Sequence, residues 1–237
     1  VMKNVKGNLV INNDDPVLQN VEGFDQSITY GKYKDSNFLI LNPEKFLYDN
    51  KEYNLNSNIL GDHFRSNMIG AIILAMKNGI SISESLDAIS SFPGVKRRTE
   101  LIGVAKGISV YDDYGHHPTE MNATIKSLKK VTNNKLYVVF QPHRYSRTKE
   151  YFNLFKDSLR NPDFSIVTDI YPAGEDPIPG IFSKNFESEN IKYLQSTRYV
   201  PEYLLRRVEE GDVILTLGAG DITLLGPKII KYINENK

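Results

Sequence analysis

Ile108-Ser109-Val110-Tyr111-Asp112-Asp113-Tyr114-Gly115-His116-His117-Pro118-Thr119-Glu120 is the stretch whose reading decides the fold. It opens on a short run, Ile108–Tyr111, of the residue types found in strands buried on both faces. It closes as a helix start, with Pro118 at the first helical position and Glu120 at the third. A polar turn lies between. The same order recurs further along, with strand-like runs at Leu136–Phe140, Phe164–Thr168 and Val213–Leu217. Helix-like amphipathic segments fall near 118–131, 147–160, 201–209 and 227–235. This alternation predicts an α/β domain built on a doubly wound, mostly parallel sheet.

Upstream the texture differs. Residues 1 to about 60 read as short strands (Leu9–Ile11, Ser27–Tyr30, Phe38–Leu41) punctuated by Asn, Asp, Gly and Pro. A helix is expected over 64–78, where Met68, Ile69, Ile72, Ile73 and Met76 recur at helical spacing before Gly79. A second is expected over 83–91, capped by Ser81 or Ser83 and ended near Pro93. The texture changes within 93–104, around Pro93-Gly94 and Lys96-Arg97-Arg98. That divides the chain into residues 1–98 and 99–237, with a hinge expected at Arg98–Gly103. The chain opens Val1-Met2 and enters a strand-like run, Asn8–Asn12, almost at once, which reads as a segment cut from something longer.

Composition narrows the function. With 237 residues, 40% of them hydrophobic, the chain is long enough to bury a real core. Lys+Arg and Asp+Glu both number 29, which argues against a bulk electrostatic grip on nucleic acid or an anionic membrane. The absence of Cys excludes a disulfide scaffold, a thiolate–zinc site and a cysteine nucleophile, and fits a reducing cytoplasm. The longest apolar stretch, Met68–Met76, is nine residues and far short of a membrane span.

Each of the four best strands runs into a polar cluster: Asp112–Glu120, Gln141–Arg147, Asp169–Glu175 and Gly218–Asp221. In a doubly wound sheet the carboxyl ends of the strands share one rim, where ligands bind, so these clusters should converge. Three of the four histidines lie on that rim; the fourth, His63, opens the first helix. Asp112, Asp113, His116 and His117 carry donor types that suit a divalent metal. Neighbouring strand residues point opposite ways, so only one of the two aspartates easily faces the site. Asp113 could instead accept from a ribose, and the helix start alone would explain Pro118 and Glu120. Arg144 and Arg147 bring two guanidinium groups to a helix start, a grip for an anionic substrate. A solvated turn is the plainer alternative there. Gly218-Ala219-Gly220 allows close backbone approach, Glu175 reads as an exposed loop residue, Asn67 as a cap or surface residue, and Arg98 as part of a solvated basic linker.

Taken together, Gly94–Arg98, Asp112–Glu120, Phe140–Thr148, Tyr171–Glu175 and Gly218–Ile222 resemble the Mur ligases, with matching order and spacing from about Gly61 to Ile222. The resemblance implies a three-domain enzyme with a UDP-binding domain, a central ATPase domain and a Rossmann-like C-terminal domain. This chain resembles the last third of the central domain followed by the whole C-terminal one. The family's phosphate loop, a G-x-x-G-K-[ST]-like run, occurs nowhere in it, nor does the acidic magnesium-binding portion of the central domain. The member it most resembles moves the ATP γ-phosphoryl group to the carboxylate of UDP-N-acetylmuramate. The amine of L-alanine then attacks the acyl phosphate, a cytoplasmic step of peptidoglycan precursor synthesis. The cofactors so implied are ATP and Mg²⁺, with no metal ligand assigned in this chain.

Carried over by motif, Asn67 would contact adenine, Arg98 the ATP phosphates, and Asp113 the ribose. Tyr114, His116, His143, Arg144 and Arg147 would line the alanine and muramoyl side, Tyr114 reaching the nucleotide as well, with Arg98, His116, Arg144 and Arg147 closest to the chemistry. One departure stands out: Phe64 follows His63, where the family usually has His-Asn. Two readings from other classes stay beside this one. A metal-dependent phosphoesterase would use Asp112, Asp113, His116 and His117, and a nucleotide-binding module would need no paired arginines.

Overall fold

The computed structural model describes residues 9–19 and 27–237. Val1, Met2 and Asn8 of the opening run lie outside them. The chain forms two compact units, Val1–Pro93 and Gly94–Lys237.

In the first unit, β1 (Val10–Asn12), β2 (Ile28–Gly31), β3 (Phe38–Asn42), β4 (Lys45–Tyr48) and β5 (Lys51–Asn54) form one sheet in that order. β1 to β3 are parallel, and β3 to β5 antiparallel. The β4–β5 hairpin was not expected from the sequence, because Lys45, Lys51 and Glu52 break its apolar pattern on the exposed side. Its turn residues, Asp49 and Asn50, have φ of 50° and 58°, the left-handed conformation that short polar side chains tolerate. Helix α1 (Asp62–Lys77) buries Met68, Ile69, Ile72 and Ile73 into a core with Tyr30, Phe38, Ile40, Phe46 and Leu55. Helix α2 (Ile82–Ser91) starts at Ser81, whose hydroxyl accepts from Glu84 N while the Glu84 carboxylate accepts from Ser81 N, a capping box.

The second unit is a six-stranded sheet flanked by helices. Its elements are β6 (Glu100–Ala105), β7 (Ile108–Asp113), α3 (Pro118–Val131), β8 (Leu136–Phe140), α4 (Tyr145–Glu150), α5 (Phe152–Arg160), β9 (Phe164–Val167), β10 (Ile191–Tyr193), α6 (Val200–Leu205), β11 (Val213–Leu217) and α7 (Leu225–Asn236). The strand order is β10-β9-β8-β11-β7-β6, parallel from β10 to β7, with β6 antiparallel at the edge. Four expectations need correcting. The Arg98–Gly103 stretch is not a hinge, because Glu100–Ala105 pairs with β7 around the Lys106-Gly107 turn. The single helix expected over 147–160 is two, parted at Tyr151, and α6 stops at Leu205 instead of reaching 209. Gly94–Arg98, assigned above to the first part, lead into the second unit, where Tyr114 N donates to Arg97 O at 2.7 Å.

Both faces of the sheet are covered. Val110, Val139, Ile166 and Ile214 pack with Val200 and Leu204 of α6 and Ile229 and Ile233 of α7. Phe140, next to Val139 and so on the opposite face, meets Phe155 of α5 with ring centroids 5.2 Å apart. The α3 and α5 helices pack together.

Candidate active site

Register alone brings the polar clusters together. Leu217 pairs with Asp113 and with Phe140, and Phe140 pairs with Val167, so four strands end at one level. Backbone bonds carry the alignment into the loops. Gly218 N donates to Asp113 O, Gln141 N to Leu217 O, Thr168 N to Phe140 O, and Arg144 N to Tyr171 O. The glycine turn after β11 needs its glycines. A Cβ on Gly220 would lie 2.4 Å from Gln141 Oε1 and 2.8 Å from Tyr171 Cγ. Gln141 in turn donates to Asp221 and accepts from Ile222 N.

The two aspartates at the end of β7 face opposite ways, and both are buried. Asp112 accepts from the hydroxyls of Thr216 (2.6 Å) and Thr223 (2.7 Å), with Arg97 Nε 3.4 Å away as an ion pair lacking a hydrogen bond's alignment. Asp113 accepts from Gly115 N, Thr99 N and the Thr99 hydroxyl. Burial pushes the Asp113 carboxyl above the usual carboxylate range, while those three donors and the Arg98 charge pull the other way.

A series of rings runs along the rim. The Tyr114 ring centroid lies 4.8 Å from the Arg97 guanidinium and 5.7 Å from that of Arg98. Tyr114 meets His116 edge-on at 5.1 Å, His116 lies 6.3 Å from His143, and His143 stacks on Tyr171 at 5.5 Å. His116 Nδ1 is 3.1 Å from the Tyr114 carbonyl, which can only accept, so in the neutral ring Nε2 is left as an acceptor. Glu120 sits beside both His116 and Arg98. Burial, the charge of Arg147, and then His116 and Arg144 hold His143 below its ordinary value.

Arg144 is exposed and occupies a left-handed conformation, φ 72°, at the start of α4. Arg147 is half-buried, with Nη1 3.5 Å from His143 Nδ1. The anion position of this helix start is already filled. Glu175 accepts from Ser146 N at 2.9 Å and from the Ser146 hydroxyl at 2.6 Å, and those bonds hold its carboxyl below the usual range. Glu175 is therefore a cap and not a bystander in a loop, and any ligand anion must meet the two side chains and not the helix end.

The structure thus brings Tyr114, His116, His143, Arg144 and Arg147 to one rim with Arg98 and Asp113, all in the second unit. Asn67 lies on α1 of the first unit and is exposed. Sequence reasoning missed Arg97, Tyr171 and Gln141; the signal available for Arg97 was only its place beside Arg98. The metal-site reading loses its geometry. Asp112 turns to Thr216 and Thr223, while His117 accepts from Thr119 N at the start of α3 and packs edge-on to Tyr151. Among the described residues no group of three or more His, Cys, Asp or Glu could hold a metal ion.

Comparison with known proteins identifies the family. A family model described as Mur ligase, glutamate ligase domain, matches residues 97–220. The UDP-N-acetylmuramate–L-alanine ligase of Mycobacterium ulcerans is 41% identical over 177 residues, 72% of this chain and 36% of that protein. The enzyme of the same name from Desulforamulus reducens is 34% identical over 249 residues, 97% of this chain and 54% of that protein. Among solved structures, UDP-N-acetylmuramate-alanine ligase MurC from Thermotoga maritima has a TM-score of 0.76 at 23% identity, over 96% of this chain and 52% of that one. MurF ligase from the same organism, in complex with ADP, has a TM-score of 0.76 at 18% identity, over 97% of this chain and 54% of that one. The chain belongs to the Mur ligase family and spans between 36% and 54% of the length of the two curated relatives.

Proposed function

We propose that this member of the Mur ligase family is part of a UDP-N-acetylmuramate–L-alanine ligase, an ATP-dependent enzyme of cytoplasmic peptidoglycan precursor synthesis. The observation that carries the reading is the level ending of β7, β8, β9 and β11, which gathers Tyr114, His116, His143, Arg144 and Arg147 on one rim. The names of its curated relatives support it.

A carboxylate is a poor electrophile, and ATP supplies the phosphoryl group that gives the muramoyl carboxylate a leaving group. The alanine amine then forms the C–N bond as the C–O bond to phosphate breaks. Little covalent chemistry is left to the protein, whose work is positioning and charge stabilisation. Arg144 and Arg147 would hold the alanine carboxylate, which keeps its charge throughout. His116, whose Nδ1 faces the Tyr114 carbonyl, and His143, held below its ordinary value by burial and neighbouring charge, would line the amine side of the cleft. Arg98 would meet the ATP phosphates, Asp113 the ribose and Asn67 the adenine. The Asp113 oxygens already accept three internal hydrogen bonds, so a ribose hydroxyl would take the remaining acceptor capacity. Mg²⁺ would be held mainly by the ATP phosphates and by ligands outside this chain, since among the described residues no group of three or more His, Cys, Asp or Glu could hold a metal ion.

The test is an ADP-release assay of the complete protein with ATP, Mg²⁺ and UDP-N-acetylmuramate, offering L-alanine, glycine, L-serine or D-glutamate. L-alanine should give the highest kcat/KM, and a strong preference for D-glutamate would sink the reading. The 237-residue chain alone, which contains no phosphate-loop run, should release no ADP above background.

A further inference from the structure

We propose that Arg97 is a positioning residue of the ligation: one half-buried guanidinium fixes Tyr114 and the Gly218–Gly220 turn together and so sets the alanine side of the rim. This rests on the reading of Tyr114 as a residue lining that side.

Three basic residues stand in a row at 96–98, and the fold treats them differently. Lys96 is exposed, and the Arg98 side chain keeps 40% of its surface. The Arg97 side chain keeps 25% and is spent on internal partners. Its Nη2 donates to Gly218 O at 2.7 Å and Gly220 O at 3.2 Å, its Nε pairs with buried Asp112, and Tyr114 lies within cation–π reach. The backbone is held as firmly. Arg97 has φ 59°, a conformation an L-residue keeps only when its surroundings impose it. Here its N–H donates to Glu100 Oε2 and its carbonyl accepts from Tyr114 N, both at 2.7 Å.

This combination needs arginine. A planar fork can reach two carbonyls and a carboxylate while interacting with an aromatic ring, whereas an ammonium is a point charge on a flexible stem. The turn it grips is the one whose Gly220 approaches Gln141 and Tyr171 too closely for a Cβ. The ring it meets touches His116 edge-on. Arg97 therefore joins the end of β7 to the turn after β11, two of the four loops that make the rim, without reaching the place assigned to substrate.

The test uses Arg97→Lys, the double variant Arg97→Met/Asp112→Asn, which removes both charges and so avoids an orphaned carboxylate, and Lys96→Ala as control. In the complete ligase, Arg97→Lys should raise the alanine KM about tenfold with kcat within about threefold, since a small misplacement of a binding group is costly. The double variant should recover the wild-type melting midpoint and keep the raised KM; Lys96→Ala should match wild type. A merely structural arginine would lower kcat through loss of folded enzyme and leave every KM unchanged, and that result overturns the proposal. Recovery of both stability and alanine KM in the double variant overturns it too, because Arg97 would then only neutralise Asp112. Amide exchange on the 237-residue chain reads the clasp without reference to substrate. The Tyr114 and Gly218 N–H groups should exchange at least about tenfold faster in the double variant than in wild type, and unchanged rates overturn the proposal. A wild-type enzyme with no alanine-dependent ADP release would instead defeat the ligase reading, while the exchange rates would still decide whether Arg97 holds the rim.

Discussion

Around Asp112 the second unit is closed. Two threonine hydroxyls and a guanidinium meet the carboxylate, and two glycine carbonyls take further donors of the same guanidinium. Around Arg144 it is open. That side chain is exposed and makes no hydrogen bond among the described residues, and Arg147 reaches only the edge of His143. The two regions lie at the ends of β7 and β8, on either side of β11, and use the same residue type, yet one guanidinium is turned to internal partners and the other to solvent. An arginine held by partners inside the protein can orient a site; one whose fork still faces water can bind an anion.

The largest expected effect comes from cutting the closed region away. Residues 94–237 should fold cooperatively by themselves, whereas residues 100–237 lose Arg97 and Thr99 and leave Asp112 and Asp113 without those partners. Breaking a buried pair costs about 3–5 kcal/mol, so urea melts should differ by at least about 3 kcal/mol. Equal midpoints for the two chains would break the distinction drawn here. A smaller effect should follow at the open region. Arg147→Lys in the complete ligase keeps the charge but loses the fork, and should weaken alanine binding by about 1.5–3 kcal/mol, the range for a hydrogen bond to a charged group. The ATP KM should change little. A large rise in the ATP KM beside an unchanged alanine KM would put this arginine on the nucleotide side.

The smallest effect is a pH dependence of the open region. His143 is held below its ordinary value of 6.5 by burial and by the charges of Arg147, His116 and Arg144. The unfolded chain therefore takes up this proton first as pH falls. The stability that His143 contributes is complete above about pH 6.5 and is lost as pH drops through the lower folded value. Melting midpoints of the 237-residue chain should fall from pH 7.5 to pH 5, and His143→Gln should flatten part of that slope. An identical slope in the variant would show that the rim charges do not act on this ring.

Much of this arrangement was legible beforehand. Helix α3 has the bounds expected from its Pro118 start, and β7, β8 and β11 lie where apolar runs marked them. The β4–β5 hairpin and β6 escaped because each shows a half-exposed face, so charged or small residues interrupt the apolar run. Their turns, Asp49-Asn50 and Lys106-Gly107, were the available signal. Glu175 looked like a loop residue because its partner, Ser146, lies at the start of α4, 29 residues away.

By itself the sequence determined the order of β7, α3, β8, β9 and β11 and the gathering of their polar clusters on one rim. Short apolar runs separated by amphipathic helices leave parallel strands as the economical solution, and parallel strands put all their carboxyl ends on the same side. Tertiary structure alone decided which of Asp112 and Asp113 faces which neighbours, and which of Lys96, Arg97 and Arg98 goes inside. Those outcomes depend on Thr216, the carbonyls of Gly218 and Gly220, and Thr223, which reach Asp112 and Arg97 from more than 100 residues away. A buried charge is tolerated only where such partners converge, and that convergence is a property of the packed sheet, invisible to local pattern.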